Sequence, residues 1–361
     1  MSHPPHILAY FVQNLDPHVF RLGKWAGPLS GWGPRWYGLA YLLGFLFAYL
    51  LIKKNSRDGM LRLNPELVSD FVLNCCIFGV LLGGRLGYCL FYQPRLLLFS
   101  GDFPYWGVLK VWEGGMSAHG GVVFTILTII WFGRKHRAQG ASILNIGDAS
   151  CMVVPIGLFF GRCANFINGE LYGHPTTVSW GVKFPSEIYA PTNGFIDPGV
   201  MPALRHFLNV PLDLINGDRL FDQALNSLAL KLVAHDPEAV GKVAAFLPAR
   251  HPSQLYEALM EGLLLFIICW TMGRLWRKDG MASGAFLTFY PIVRIIGEQF
   301  RVGDTPVTIL GMEISKGVLY SIPMVLGGAI FWGYCMVRNK TNMWQPPPKD
   351  SPAPAKPAST V

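Results

Sequence analysis

Recurring apolar runs set the terms on which this chain can fold. They lie at about 37–52, 70–92, 117–132, 146–163, 257–276, 283–300 and 317–337, and most approach the roughly 20 residues an α-helix needs to cross the hydrocarbon layer of a membrane. Hydrocarbon offers no water to a bare N–H or C=O, so each run is expected to satisfy its backbone internally as a helix. The composition agrees. Hydrophobic residues fill 51% of the 361 positions and charged residues 14%, against about 25% charged in an ordinary soluble domain. Mean hydropathy is +0.34. The expected fold is an all-α polytopic membrane protein of about seven transmembrane helices.

The basic residues give the runs an orientation, because Lys and Arg in short loops stay on the cytoplasmic side. Lys53, Lys54, Arg57 and Arg62 follow the first run and Arg134, Lys135 and Arg137 the third; Arg274, Arg277 and Lys278 follow the fifth, and Arg338 and Lys340 the seventh. All four sets then share one face. With seven crossings the N-terminus is expected outside, the C-terminus in the cytoplasm, and the long segment 172–254 on the outer side. Trp36, Trp112, Trp131, Trp276 and Trp332 fall near run ends, where an amphipathic ring suits the interface.

Residues 1–340 are therefore read as one transmembrane domain that includes the outer segment 172–254. That segment is rich in Pro, carries an amphipathic stretch around Leu220 to Val243, and is expected to form a small, partly helical periplasmic cap. Residues 341–361 are Pro-rich and poor in apolar side chains, the composition of a disordered cytoplasmic tail. No removable signal peptide is read at the N-terminus. The formal charge of +8 sits in clusters beside apolar runs rather than in a basic stripe interleaved with aromatics, which argues for topology and against nucleic acid. Seven cysteines without CxxC or metal-ligand spacing point to neither a disulfide framework nor a metal site.

Charged side chains inside apolar runs carry the functional information, since each costs about 2.5–3.5 kcal/mol at mid-bilayer on insertion scales. Arg85 lies in Gly83-Gly84-Arg85-Leu86-Gly87, His119 opens the third run, Asp148 starts the fourth, Arg162 ends it, and Arg294 and Glu298 occupy the sixth. Two readings fit these residues. Arg294 and Glu298, four apart, form an internal ion pair, with Arg85 snorkelling to the interface. Alternatively, the excess of Arg85, Arg162 and Arg294 over the acids counted in the runs calls for an anionic ligand. A guanidinium fork matches phosphate oxygens, so phosphate is the anion expected. In Gly161-Arg162-Cys163-Ala164-Asn165-Phe166-Ile167-Asn168-Gly169-Glu170, Asn165 and Asn168 follow Arg162 at helical spacing, either lining a site or capping a helix end. His119, before Gly120-Gly121, is either a structural histidine or a base.

The stretch Gly161 to Glu170 resembles the signature Gly-Arg-x-Gly-Asn-Phe-Ile-Asn-x-Glu of the bacterial prolipoprotein diacylglyceryl transferases, with Ala164 where the signature has Gly. Further segments match in order: Trp36-Tyr37-Gly38-Leu39, Gly83 to Tyr88, Trp112-Glu113-Gly114-Gly115-Met116-Ser117-Ala118-His119-Gly120-Gly121, Arg250-His251-Pro252-Ser253-Gln254-Leu255-Tyr256-Glu257, and Arg294 to Arg301. The resemblance covers roughly residues 16–338. It implies transfer of the diacylglyceryl group of phosphatidylglycerol to the lipobox cysteine thiol of a prolipoprotein, in the bacterial cytoplasmic (inner) membrane, with glycerol phosphate released. It also implies roles. Arg162 would hold the lipid headgroup, Arg294 the phosphate and leaving group, and His119 would take the thiol proton. Tyr37, Arg85, Asn165, Asn168, Glu170, Tyr290 and Glu298 would line the substrate pocket. No metal or organic cofactor is implied. A transporter or channel for an anion, and another phospholipid-modifying enzyme, are the rival readings of the same residues.

Overall fold

The computed structural model describes residues 10–338 except 24, 26–30, 32, 100–104, 111–113, 138–140, 192–195, 211–217, 277, 304–306 and 310–311. Trp112, Glu113, Arg277, Lys340, the Arg338 side chain and the tail 341–361, all invoked above, lie outside the described residues. The described chain is mainly helical. Five helices are long and apolar enough to cross a membrane: Trp36–Arg57, Pro65–Phe91, Ile143–Asn168, Ser253–Trp276 and Lys316–Val337. Only 11% of the most apolar stretch of the first is buried against protein, so its Leu42, Leu46 and Leu50 face outward. An outward apolar face is costly in water and natural in lipid. This is a multi-pass membrane protein. Two further helices, Ala118–Lys135 and Met281–Glu298, have 18 residues each and correspond to the third and sixth apolar runs.

The chain divides into two compact units, Met1–Leu43 with Pro155–Leu265 and Thr288–Gly327, and Gly44–Val154 with Phe266–Leu287 and Gly328–Val361. The second unit packs Ile52, Val68, Phe71, Phe132, Ile146 and Met152 into a continuous apolar core. Within it the Gly83–Phe91 helix approaches Ala118–Lys135 closely through small residues. A methyl group on Gly120 would sit 2.3 Å from the carbonyl oxygen of Gly83, and one on Gly87 would sit 2.6 Å from the Gly120 Cα. Glycines at such spacing let membrane helices touch backbone to backbone. Asp148, an expensive acid by sequence, accepts from the backbone N–H of Gly280 at 2.6 Å and of Ser283 at 2.7 Å. It supplies acceptors to orphan donors at the start of the Met281–Glu298 helix.

In the first unit, the outer-segment residues form the helices Met201–Phe207, Asp218–Val233 and Pro237–Phe246. Their apolar faces bury Leu204, Phe221, Leu228, Leu232, Val240 and Val243 with Ile188 and Val200 in a separate core. The amphipathic stretch read from sequence falls on the last two of these helices. Strand Phe11–Val12 pairs in parallel with Val182–Lys183, and Val307–Ile309 pairs antiparallel with Met312–Ile314. Arg250, almost wholly buried, donates from Nε to Glu187 at 2.8 Å and from Nη2 to Asp197 at 2.8 Å. The hydrogen bond from Arg250 holds the Asp197 carboxyl below its usual range, whereas burial pushes Glu187 up.

Candidate active site

The polar centre of the first unit is built on two acids that stand four apart in one apolar helix. Glu257 ends the α-helical turn Ser253–Glu257, and Glu261 follows in the π-helical stretch Ala258–Leu264. Such π-turns are wider than α-helix and recur at functional sites. Both carboxylates have 0% side-chain exposure, which is tolerable only if cations meet them. Three guanidiniums do. Arg162 places Nη2 2.8 Å and Nε 3.1 Å from Glu261 Oε2, and Nη1 2.9 Å from Glu257 Oε2. The last contact is an ion pair without hydrogen-bond alignment. Arg294 Nη1 lies 3.1 Å from Glu257 Oε1 and 3.4 Å from Glu261 Oε1, and its Nη2 lies 3.4 Å from Glu298 Oε2. Arg301 Nη1 stands 3.8 Å from Glu257 Oε1.

The acids are sealed but the cations are not. Arg162, Arg294 and Arg301 keep 15%, 19% and 14% of their side chains open, whereas both acids beneath them are fully covered. The ion pair expected between Arg294 and Glu298 is present. The surplus of positive charge expected from Arg85, Arg162 and Arg294 is not found, because Glu257 and Glu261 join Glu298 and Asp148 as interior acids. The described cluster balances three guanidiniums with three carboxylates.

Beside Arg162 the Ile143–Asn168 helix ends in the polar run anticipated from its sequence. Asn165, 4% exposed, donates to Tyr37 Oη at 3.1 Å and to Glu170 Oε1 at 2.7 Å, and Asn168 donates to the same Glu170 oxygen at 3.4 Å. Gly169 supplies the left-handed turn after the helix at φ 68°, and a methyl there would meet the Ser186 hydroxyl at 2.7 Å. Gln254 fixes the next turn by donating to the Glu170 carbonyl at 2.6 Å. Ala164 is a buried interior residue of the helix, a place where the backbone has no need of Gly. The Tyr290 phenol interacts electrostatically with Glu261, Arg294 and Arg162. Tyr37, Arg162, Asn165, Asn168, Glu170, Tyr290, Arg294 and Glu298 thus all lie in the first unit. Sequence reasoning missed Glu257, Glu261 and Arg301 as functional candidates. The available signal was a pair of acids four apart inside an apolar run.

Arg85 and His119 belong to the second unit. Arg85 is buried and directs all three of its nitrogens at main-chain oxygens: Nε to Val108 at 2.9 Å, Nη2 to Gly107 at 2.8 Å and Lys110 at 3.0 Å, and Nη1 to Gly114 and, at 3.2 Å, to Gly115. Five donors meet five carbonyls, which is neither a snorkelling side chain nor a phosphate contact. Gly114 and Gly115, at φ 81° and 84°, allow the backbone to turn its oxygens inward. His119 is the second residue of the Ala118–Lys135 helix, which Ser117 caps by accepting from the Gly120 N–H at 3.2 Å. Its side chain is exposed.

A family model described as prolipoprotein diacylglyceryl transferase matches residues 28–334. Relatives named phosphatidylglycerol–prolipoprotein diacylglyceryl transferase extend the likeness. The one from Bdellovibrio bacteriovorus is 35% identical over 335 residues, covering 88% of this chain and 92% of its own. One from Xylella fastidiosa is 36% identical over 333 residues, covering 90% and 94%, and one from Phenylobacterium zucineum is 35% identical over 324 residues, covering 87% and 91%. With polar clusters that carry the signature residues and a match spanning nearly its whole length, this chain belongs to the prolipoprotein diacylglyceryl transferase family.

Proposed function

We propose that this protein transfers the diacylglyceryl group of phosphatidylglycerol to the lipobox cysteine thiol of a prolipoprotein, forming a thioether and releasing glycerol phosphate. The observation that carries the reading is the convergence of Arg162, Arg294 and Arg301 on one buried carboxylate floor, each with part of its side chain open, in a chain of this family.

The chemistry explains why such a site suits the reaction. The sulfur forms a bond to the terminal glycerol carbon of the diacylglyceryl group while that carbon's bond to a phosphate oxygen breaks, and the thiol proton passes to a base. A phosphodiester with one negative charge becomes a phosphomonoester that gains a second. Stabilisation must therefore grow on the leaving phosphate as the bond breaks, the task of donors preset in a site of low dielectric. Arg162 and Arg294 are assigned to that phosphate. The hydrogen-bonded set of Tyr37, Asn165, Asn168 and Glu170, with Tyr290 and Glu298, is assigned to shaping the headgroup pocket. His119 is assigned to the thiol proton, because a free thiol near pKa 8.5 is only a few per cent thiolate at neutral pH. Arg85 serves the substrate indirectly on this reading, by holding the turn before Met116 and His119.

The same reading adds Ala118–Lys135 and Met281–Glu298 to the five long apolar helices as shorter crossings. That gives seven, with the N-terminus outside, the C-terminus cytoplasmic and the segment 172–254 as a periplasmic cap of a bacterial inner-membrane enzyme. Purified protein in detergent, given phosphatidylglycerol and a lipobox peptide with one cysteine, is expected to yield a peptide heavier by one diacylglyceryl group. An unshifted peptide mass under those conditions would reject the assignment.

A further inference from the structure

We propose that Glu257 and Glu261 are positioning residues that set how tightly this site holds a phosphate, and so how readily it lets the product go. The inference rests on the phospholipid reading above. Arg162, Arg294 and Arg301 all lie against these two acids, and neither acid has any exposed surface through which it touches substrate.

Three guanidiniums brought together without counter-charge repel one another strongly at the low effective dielectric of a protein interior. The carboxylates remove that repulsion and fix the direction of each fork. They also cancel most of the field an arriving anion feels. Uncancelled, that field would favour the doubly charged phosphomonoester product over the singly charged phosphodiester substrate, because attraction scales with ligand charge. A neutral cluster holds both weakly at a distance and engages them by short-range hydrogen bonds from the partly open arginine side chains. Glu261 is the more telling of the two, since Arg162 turns two donors to one of its oxygens.

The test compares wild type, Glu261→Gln and Glu261→Asp in detergent, with glycerol phosphate binding measured by calorimetry and transfer measured with phosphatidylglycerol and a lipobox peptide. Removing the charge is expected to tighten glycerol phosphate binding by about tenfold. It should lower KM for phosphatidylglycerol by less and reduce kcat as product release slows. Glu261→Asp should restore the wild-type affinity. A part that merely supports the fold would not tighten a product. Should Glu261→Gln not fold, Glu257→Gln carries the same test, because Glu257 is the other sealed acid against Arg162 and Arg294. Unchanged or weaker glycerol phosphate binding in whichever Gln variant folds overturns the inference. Absence of transfer by the wild type would instead overturn the reading beneath it.

Discussion

Two arginines set in apolar runs of this protein resemble each other in sequence and differ in what they meet. Arg162 faces two sealed carboxylates and keeps part of its side chain open, whereas Arg85 is enclosed and ends on five carbonyl oxygens. Carbonyl dipoles absorb all five N–H donors of Arg85 and leave no edge for another ligand. Two acids meet all three nitrogens of Arg162 and still leave part of its side chain open. A buried cation thus becomes a site for a ligand when its partners are few and charged, and a structural peg when they are many and neutral.

The largest expected effect comes from Arg162→Ala. It removes the phosphate contact and strands two buried acids, so transfer should disappear and the folded state should lose about 3–5 kcal/mol, read as loss of thioether product and an earlier melting transition. Arg162→Lys separates the two consequences. A point charge keeps the acids company but loses the fork, so melting should move little while transfer falls by about two orders of magnitude. Arg85→Lys reverses that order. Carbonyls left without donors cost about 1–3 kcal/mol each, so the variant should melt early while its surviving folded fraction still binds phosphatidylglycerol.

Glycines sharpen the same contrast. Gly120→Ala drives a methyl against the rigid Gly83 backbone and should destabilise by about 1–3 kcal/mol, measured by thermal unfolding. Gly317→Ala meets the Glu298 carboxylate first, at 2.8 Å, a side chain that can turn aside. Its melting should barely change, while kcat falls as Arg294 loses its partner. The smallest effect belongs to Asp197, whose carboxyl is held low by the hydrogen bond from Arg250. A depressed folded-state value stabilises at pH above the unfolded range, near 3.9, and the benefit is lost as pH falls through the folded value. Asp197→Asn should therefore melt slightly earlier than wild type at neutral pH, and the gap should close in acid.

Local pattern carried much of this molecule. The first run, read as 37–52, lies in the helix Trp36–Arg57, and that read as 317–337 lies in Lys316–Arg338, because a membrane helix announces itself by length and apolarity alone. The run 146–163 was cut short. The helix continues to Asn168, since polar Asn165 and Asn168 lower hydropathy without breaking the helix when other side chains satisfy them. The Arg294 and Glu298 pair was legible because both partners share one helix. Arg162 and Glu261 are 99 positions apart, and no periodicity links them. The partners of Arg85 are hidden for the same reason, as backbone carbonyls leave no trace in residue types.

Affinity for a short-chain phosphatidylglycerol, titrated into folded Arg162→Lys and Arg85→Lys proteins beside wild type, tests the comparison most directly. The account predicts at least about a tenfold loss for the Arg162 variant, the cost of one charge-assisted hydrogen bond, and an unchanged affinity for the folded Arg85 variant. Equal losses, or a loss confined to Arg85→Lys, would contradict it.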